Sequence, residues 1–174
     1  MMGRMDDVQL RRAVPADARA IAEVHVDGWR WGYRGQLPAA FLRDLSMDRR
    51  EVAWREDIAD PDLEVWVADR VGAVVGFTAF GRSRDGDAEP TTGELGSIYV
   101  SEAAAGAGIG RALMVRTLDR LAETFQEATL WVLESNAATR RFYEAFGWRP
   151  DGATKTDTVR GVELHEIRYR IDLR

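Results

Sequence analysis

The sequence predicts a single-domain α/β fold: a central mixed, mostly antiparallel twisted sheet of about seven strands, flanked by about four helices. Three observations predict it. The 174 residues suit one domain and can bury a sizeable core. Apolar residues switch along the chain between alternation and helical spacing, in the order strand, two helices, three strands, helix, strand, helix, two strands. A glycine-rich turn at 106–110 carries the third of the central strands directly into a helix.

Val8–Arg12 reads as a short first strand. Pro15 and Asp17 open a helix, because proline suits the first turn and aspartate its positive end. Ile21, Val24, His25 and Gly28 follow at helical spacing, and the 31–35 stretch and Pro38 end it. A second helical region spans 38–58, with a break near Ser46. Asp60-Pro61 is a turn, and 63–69 alternates with an apolar excess, as a strand does. Residues 74–81 form the next strand, 83–92 a charged loop containing Gly86 and Pro90, and 94–100 a third strand. In the 108–125 helix, Met114, Leu118, Leu121 and Phe125 make a buried stripe. Residues 129–133 are a short strand, and 136–146 a helix capped by Gly147. Two strands at 149–156 and 162–173, joined by a polar loop, finish the chain.

Composition narrows the chemistry. The absence of cysteine excludes a disulfide framework, a thiolate nucleophile and a Cys-based zinc site. The two histidines, His25 and His165, read as structural, and no metal is expected. A net charge of -5 argues against nucleic acid as a partner. There is no apolar run of roughly 18 residues, so no membrane span is expected. Residues 1–8 are polar and acidic, unlike a signal peptide; 1–7 are expected to be a flexible N-terminus, and the location cytoplasmic.

The chemistry concentrates in two stretches. The first runs from Gly93 through Ile98-Tyr99-Val100 to Gly106-Ala107-Gly108-Ile109-Gly110-Arg111. Glycines let the backbone approach a ligand, and the free amides of a helix start favour a pyrophosphate. Arg111 adds a charge. A nucleotide P-loop would need Gly-Lys-Ser/Thr, and a dinucleotide site Gly-x-Gly-x-x-Gly; neither spacing is present. An ordinary strand–helix turn remains open on these residues alone. The second stretch, 130–148, combines a strand, Asn136 at a helix start, Phe142-Tyr143 and the Phe146-Gly147-Trp148 stop.

Together the two stretches resemble the GNAT family of acyl-CoA N-acyltransferases, and the inferred element order matches over nearly the whole chain. The resemblance implies one N-acetyltransferase domain over 8–174 with acetyl-CoA as co-substrate. It implies main-chain contacts from Ile98, Tyr99 and Val100 to pantetheine, and a pyrophosphate held by Gly106, Ala107, Gly108, Ile109, Gly110 and Arg111. Asn136 would touch the pantetheine arm and Tyr143 would face the thioester. One position departs from the family loop, which usually begins Gln/Arg-x-x-Gly-x-Gly/Ala: here that first residue is Ala105. A homodimer is common in the family.

Amine acetylation needs a neutral amine, yet an amine of pKa ~10.4 is neutral in only about 1 in 10³ molecules near pH 7. Glu94 is the first choice for general base, with a salt-bridged strand-end carboxylate as its other reading. Tyr143 is the choice for general acid, with core packing as its other reading. Trp29, Tyr33 and Asp27 fall where the fold places its acceptor helices. The predicted reaction is direct acetyl transfer, in a ternary complex, to a primary amine of a small molecule or protein. Candidate acceptors are an amino acid, a polyamine, an aminoglycoside-like drug or a protein N-terminus. An acyl-CoA-binding sensor with weak or no turnover is the alternative.

Overall fold

Strands adjacent in sequence pair as antiparallel neighbours at the start of the chain. The structure, a computed structural model, describes residues 7–174. The flexible segment expected over 1–7 lies, apart from Asp7, outside the described residues. β1 (Val8–Arg12) pairs with β2 (Leu63–Arg70), β2 with β3 (Ala73–Arg82), and β3 with β4 (Thr92–Val100). β5 (Glu127–Leu133) lies between β4 and β7 (Val162–Asp172), and β6 (Arg149–Val159) forms the far edge. Among the described strands of the sheet, only the β4–β5 junction is parallel.

The helices follow the expected order with one addition. Pro15–Asp17 forms a 3-10 turn that leads into α1 (Ala18–Gly32). Asp17 accepts from the Val14 amide and pairs with Arg11 at 2.8 Å. The Arg11 hydrogen bond is the main cause holding its carboxyl below the usual range. The 38–58 region divides into α2 (Ala39–Arg43) and α3 (Met47–Ala59). Ser46 caps α3 by accepting from the Arg49 amide, so the α-helices among the described residues number five. α4 (Ile109–Ala122) stops short of Phe125, which still packs on the core. α5 is Ala137–Ala145. The polar loop expected before the last strand shrinks to a two-residue turn, Arg160-Gly161, with both residues at positive φ.

Helices cover both sheet faces. α1 and α3 bury Ile21, Val24 and Trp54 against Val65, Val67 and Phe77. α4 and α5 bury Met114, Leu121 and Tyr143 against Leu130, Trp148 and Tyr169. Full burial of one such aliphatic or Phe side chain contributes about 1.5–3 kcal/mol. No described helix is long and apolar enough to cross a membrane.

The sheet divides at its centre. β4 meets β5 only through Thr92, Gly93 and Glu94. Two residues further on, the β3–β4 register shifts: Leu95 faces Phe80 and Ser97 faces Ala79, which leaves Gly96 as the extra residue of a bulge. A bulge bends its strand. From there β4 follows β3 while β5 stays fully paired with β7, and a wedge opens between them.

Candidate active site

Hydrogen-bond phase decides what β4 offers to this wedge. The Ser101 amide donates to the Val75 carbonyl at 2.9 Å. In an antiparallel ladder the bonded pairs alternate, so Tyr99 bonds with Phe77 and Ser97 with Ala79. Ile98 and Val100 therefore turn their amides and carbonyls to the wedge. Their side chains pack towards Ile109 and Leu113, while Tyr99 packs against the α1 side. The free edge can accept one more extended chain, as an exposed strand edge does.

The glycine loop closes one end. Glu102–Ala104 forms a 3-10 turn, and Gly106 and Gly108 take φ of 77° and 83°. L side chains avoid that conformation. The first helical bond of α4 runs from the Ala112 amide to the Gly108 carbonyl at 3.0 Å. The amides of Ile109, Gly110 and Arg111 are thus left without helical acceptors at the positive end of the helix. Gly110 lines the wedge, where its missing side chain leaves Phe142 and Val100 uncrowded at 3.8 Å from any Cβ position. The Arg111 guanidinium lies 5.6 Å from the Phe146 ring centroid. Ala105 is exposed beside the loop. A diphosphate joined to an extended polar arm fits this cradle and the free β4 edge together.

A cleft of about 540 Å³ fills the wedge. The structure brings Ile98, Tyr99, Val100, Gly110, Asn136, Tyr143, Trp29 and Tyr33 to its walls. Asn136 caps α5 through Oδ1, which accepts from the Thr139 amide at 3.3 Å. Tyr143 is buried, and its hydroxyl makes no hydrogen bond among the described residues. Burial, and then the nearby Tyr33, raise the Tyr143 phenol above its ordinary range. Burial likewise raises Tyr33 and Tyr99. These phenols are hydrogen-bond donors at any physiological pH.

Glu94 and Asp27 lie elsewhere. Glu94 is buried beside the cleft and lines a smaller cavity of about 220 Å³. Its carboxylate accepts from the Arg84 amide at 2.9 Å and pairs with the Arg84 guanidinium at 3.1 Å. His25, Arg50, Gly96 and Ser97 belong to both cavities and connect them. Asp27 sits on the exposed side of α1, 3.5 Å from Arg30, outside the cleft. His25 is a core histidine: its Nδ1 accepts from Trp54 Nε1 at 3.1 Å, and burial pushes its pKa down to about 3. His165 is exposed on β7, 3.0 Å from the Thr156 hydroxyl.

Three wall residues carried no local signal: Arg50, Trp131 and Glu166. Glu166 alternates out of phase with Ile167 and Tyr169 and so resembles a solvated strand residue. In the folded chain it faces the cleft, 3.4 Å from Lys155, and burial raises its pKa against the pull of that lysine.

The model of the acetyltransferase (GNAT) family matches residues 26–148, from the middle of α1 to the end of the Phe146-Gly147-Trp148 stop. The chain belongs to that family. As a GNAT acyltransferase it is 34% identical over 163 residues to N-acetyltransferase YuaI of Bacillus subtilis, covering 92% of this chain and 90% of the relative. It is 29% identical over 143 residues to L-amino acid N-acyltransferase MnaT of Escherichia coli, covering 81% and 79%. Among solved structures, YncA of Salmonella typhimurium with its cofactor acetyl-CoA superposes with a TM-score of 0.72 at 26% identity, covering 97% of this GNAT chain and 95% of YncA.

Proposed function

We propose that the protein transfers the acetyl group of acetyl-CoA directly to a primary amine in a ternary complex, in the cytoplasm. The observation that carries this reading is the wedge between β4 and β5, where the main chain of Ile98 and Val100 and the side chain of Tyr143 meet. The relatives' names support an amine acceptor, and MnaT's points to a small one.

Acetyl-CoA supplies an activated thioester when bound. The amides of Ile109, Gly110 and Arg111 hold its diphosphate, with Gly106, Ala107 and Gly108 shaping the approach. Ile98 and Val100 hold the pantetheine arm as an added strand, and the free amide of Asn136 reaches it from α5. One β4 amide that faces the wedge stabilises the carbonyl oxygen as charge develops there. The acceptor enters from the α1 side, walled by Trp29 and Tyr33. A C–N bond forms and the C–S bond breaks. The ammonium proton leaves to a carboxylate, and the thiolate takes a proton from Tyr143. Glu94 acts as the base through solvent in the smaller cavity, with Arg84 fixing its orientation; Glu166 is a second carboxylate at the cleft.

The test is CoA release with acetyl-CoA and a panel of primary amines, alongside calorimetric binding of acetyl-CoA. Saturable release with at least one amine is expected. Binding without turnover on any amine would leave a sensor, and no binding at all would remove both readings. Glu94→Gln and Glu166→Gln separate the two carboxylates: the true base is the one whose loss removes the acidic limb of kcat/KM.

A further inference from the structure

Charge is sparse in the larger cavity and concentrated in the smaller one. Beyond the neutral His25, Arg50 and Glu166 are the charged residues of the larger cavity. The smaller one carries Arg50, Arg82 and Arg84 against Asp57 and Glu94. Arg84 is matched by Glu94, and with Asp57 ionised as well the three arginines still outnumber the two carboxylates. The smaller cavity therefore has an excess of positive charge, while the larger one carries the carboxylate of Glu166, 3.4 Å from Lys155.

Arg50 stands at the junction with no ion-pair partner among the described residues. The carboxylates next to it in sequence on α3 are already engaged: Asp48 pairs with Arg19, and Glu51 with both Arg19 and Arg55. Asp57, further along α3, shares the smaller cavity and feels the charge of Arg50 without an ion pair. Its position on α3 borders a third cavity as well, so its fork is free to turn to a ligand. A guanidinium matches a carboxylate in a bidentate way that few other side chains reproduce.

We propose that the acceptor is a free α-amino acid, its carboxylate held by Arg50 at the mouth of the smaller cavity and its amine presented in the larger one, towards Glu166 and the wedge. This rests on the acetyl-transfer reading above. The separation of opposite charges fits a zwitterion better than a polyamine, which would meet Arg50 with like charge. It also disfavours a protein N-terminus, which has no carboxylate on the carbon that bears its amine. The aromatic wall of Trp29, Trp31 and Trp131 favours a side chain without charge.

The test compares the common L-amino acids as free acids, as primary amides and as decarboxylated amines, for the full-length wild type, Arg50→Gln and Arg50→Lys. Wild type is expected to use the best free acid at least about tenfold better than its amide. Arg50→Gln is expected to raise KM for the acid by roughly 10- to 100-fold, the size of a lost charge-assisted hydrogen bond. Its KM for acetyl-CoA should stay unchanged, and Arg50→Lys should recover part of the loss. Equal use of acids and amides, or a folded Arg50→Gln that keeps the preference, overturns the role of Arg50 and leaves acetyl transfer standing. Turnover confined to polyamines or peptides does the same. Turnover on no amine of any class removes the acetyl-transfer reading and this one with it.

Discussion

The Ser101 amide donates to the Val75 carbonyl at 2.9 Å, and that bond sets which β4 amides serve the sheet and which face the cleft. Val100→Pro deletes an amide on the cleft side and leaves the β3–β4 ladder intact. Tyr99, which precedes it, is already in the extended region that a following proline demands. The circular dichroism spectrum is expected to be unchanged, with Kd for CoA weakened about tenfold, as for one lost hydrogen bond. Tyr99→Pro deletes an amide bonded to Phe77 and should destabilise the fold instead. If both variants lower Tm alike and neither changes CoA affinity selectively, the phase is wrong.

Tyr143 is raised by burial, so its phenol stays protonated throughout the working range. Tyr143→Phe is expected to lower kcat by about 10²-fold or more, the usual size of a general-acid contribution. The KM for acetyl-CoA should change little, because the ring still packs beside Trp148. Any limb of the pH–rate profile near neutrality belongs to another group and should survive the substitution. A kcat equal to wild type would remove the proton-donor role.

Gly28 faces Tyr99 so closely that an added Cβ would sit 2.8 Å from the ring's Cδ1. Alanine gains about 1 kcal/mol of helix propensity over glycine, but this ring cannot move aside freely. It is packed against His25 at 4.9 Å and Phe77 at 5.8 Å between centroids. Overpacking of that kind costs typically about 1–3 kcal/mol, so Gly28→Ala is expected to lower Tm despite the better helix former. Because Tyr99 also walls the cleft, the KM for the acceptor should rise too. Thermal denaturation and steady-state kinetics check the two halves separately.

His25 gives stability a defined pH dependence. Its pKa of about 3 in the folded chain, against 6.5 unfolded, means that the unfolded chain binds the extra proton between those values. Stability therefore rises with pH across that window. It is fully present above about pH 6.5 and is lost at up to about 1.4 kcal/mol per pH unit on acidification. Asp57 and Glu166, whose pKa values are raised by burial, work in the opposite direction as pH rises above their unfolded values. Urea denaturation from pH 7 to 5 should show the loss in wild type and a flatter profile in His25→Gln. Parallel profiles would mean that His25 takes up its proton in the folded state.

Local rules made much of this protein legible in its sequence. The stripe of Met114, Leu118, Leu121 and Phe125 announces a half-buried helix because its spacing follows the helical repeat. Gly106 and Gly108 announce a backbone turn because other residues resist positive φ. Ser46 marks the break between α2 and α3, and Asn136 the start of α5, because each side chain can satisfy an amide next to it in sequence. Such features depend on neighbours a few residues away, and they carried the order of elements, the glycine loop and the Asn/Tyr helix. Tertiary structure alone decided which groups share a cavity. Asp27 and Trp29 are near neighbours on α1, yet one faces solvent and the other the cleft. Glu94 is engaged by Arg84 across a loop, and Glu166 and Arg50 reach one cleft from opposite ends of the chain. The wedge itself comes from a parallel pairing only three residues long and a bulge at Gly96. These are long-range relations set by packing and register, and no local pattern of residues encodes them.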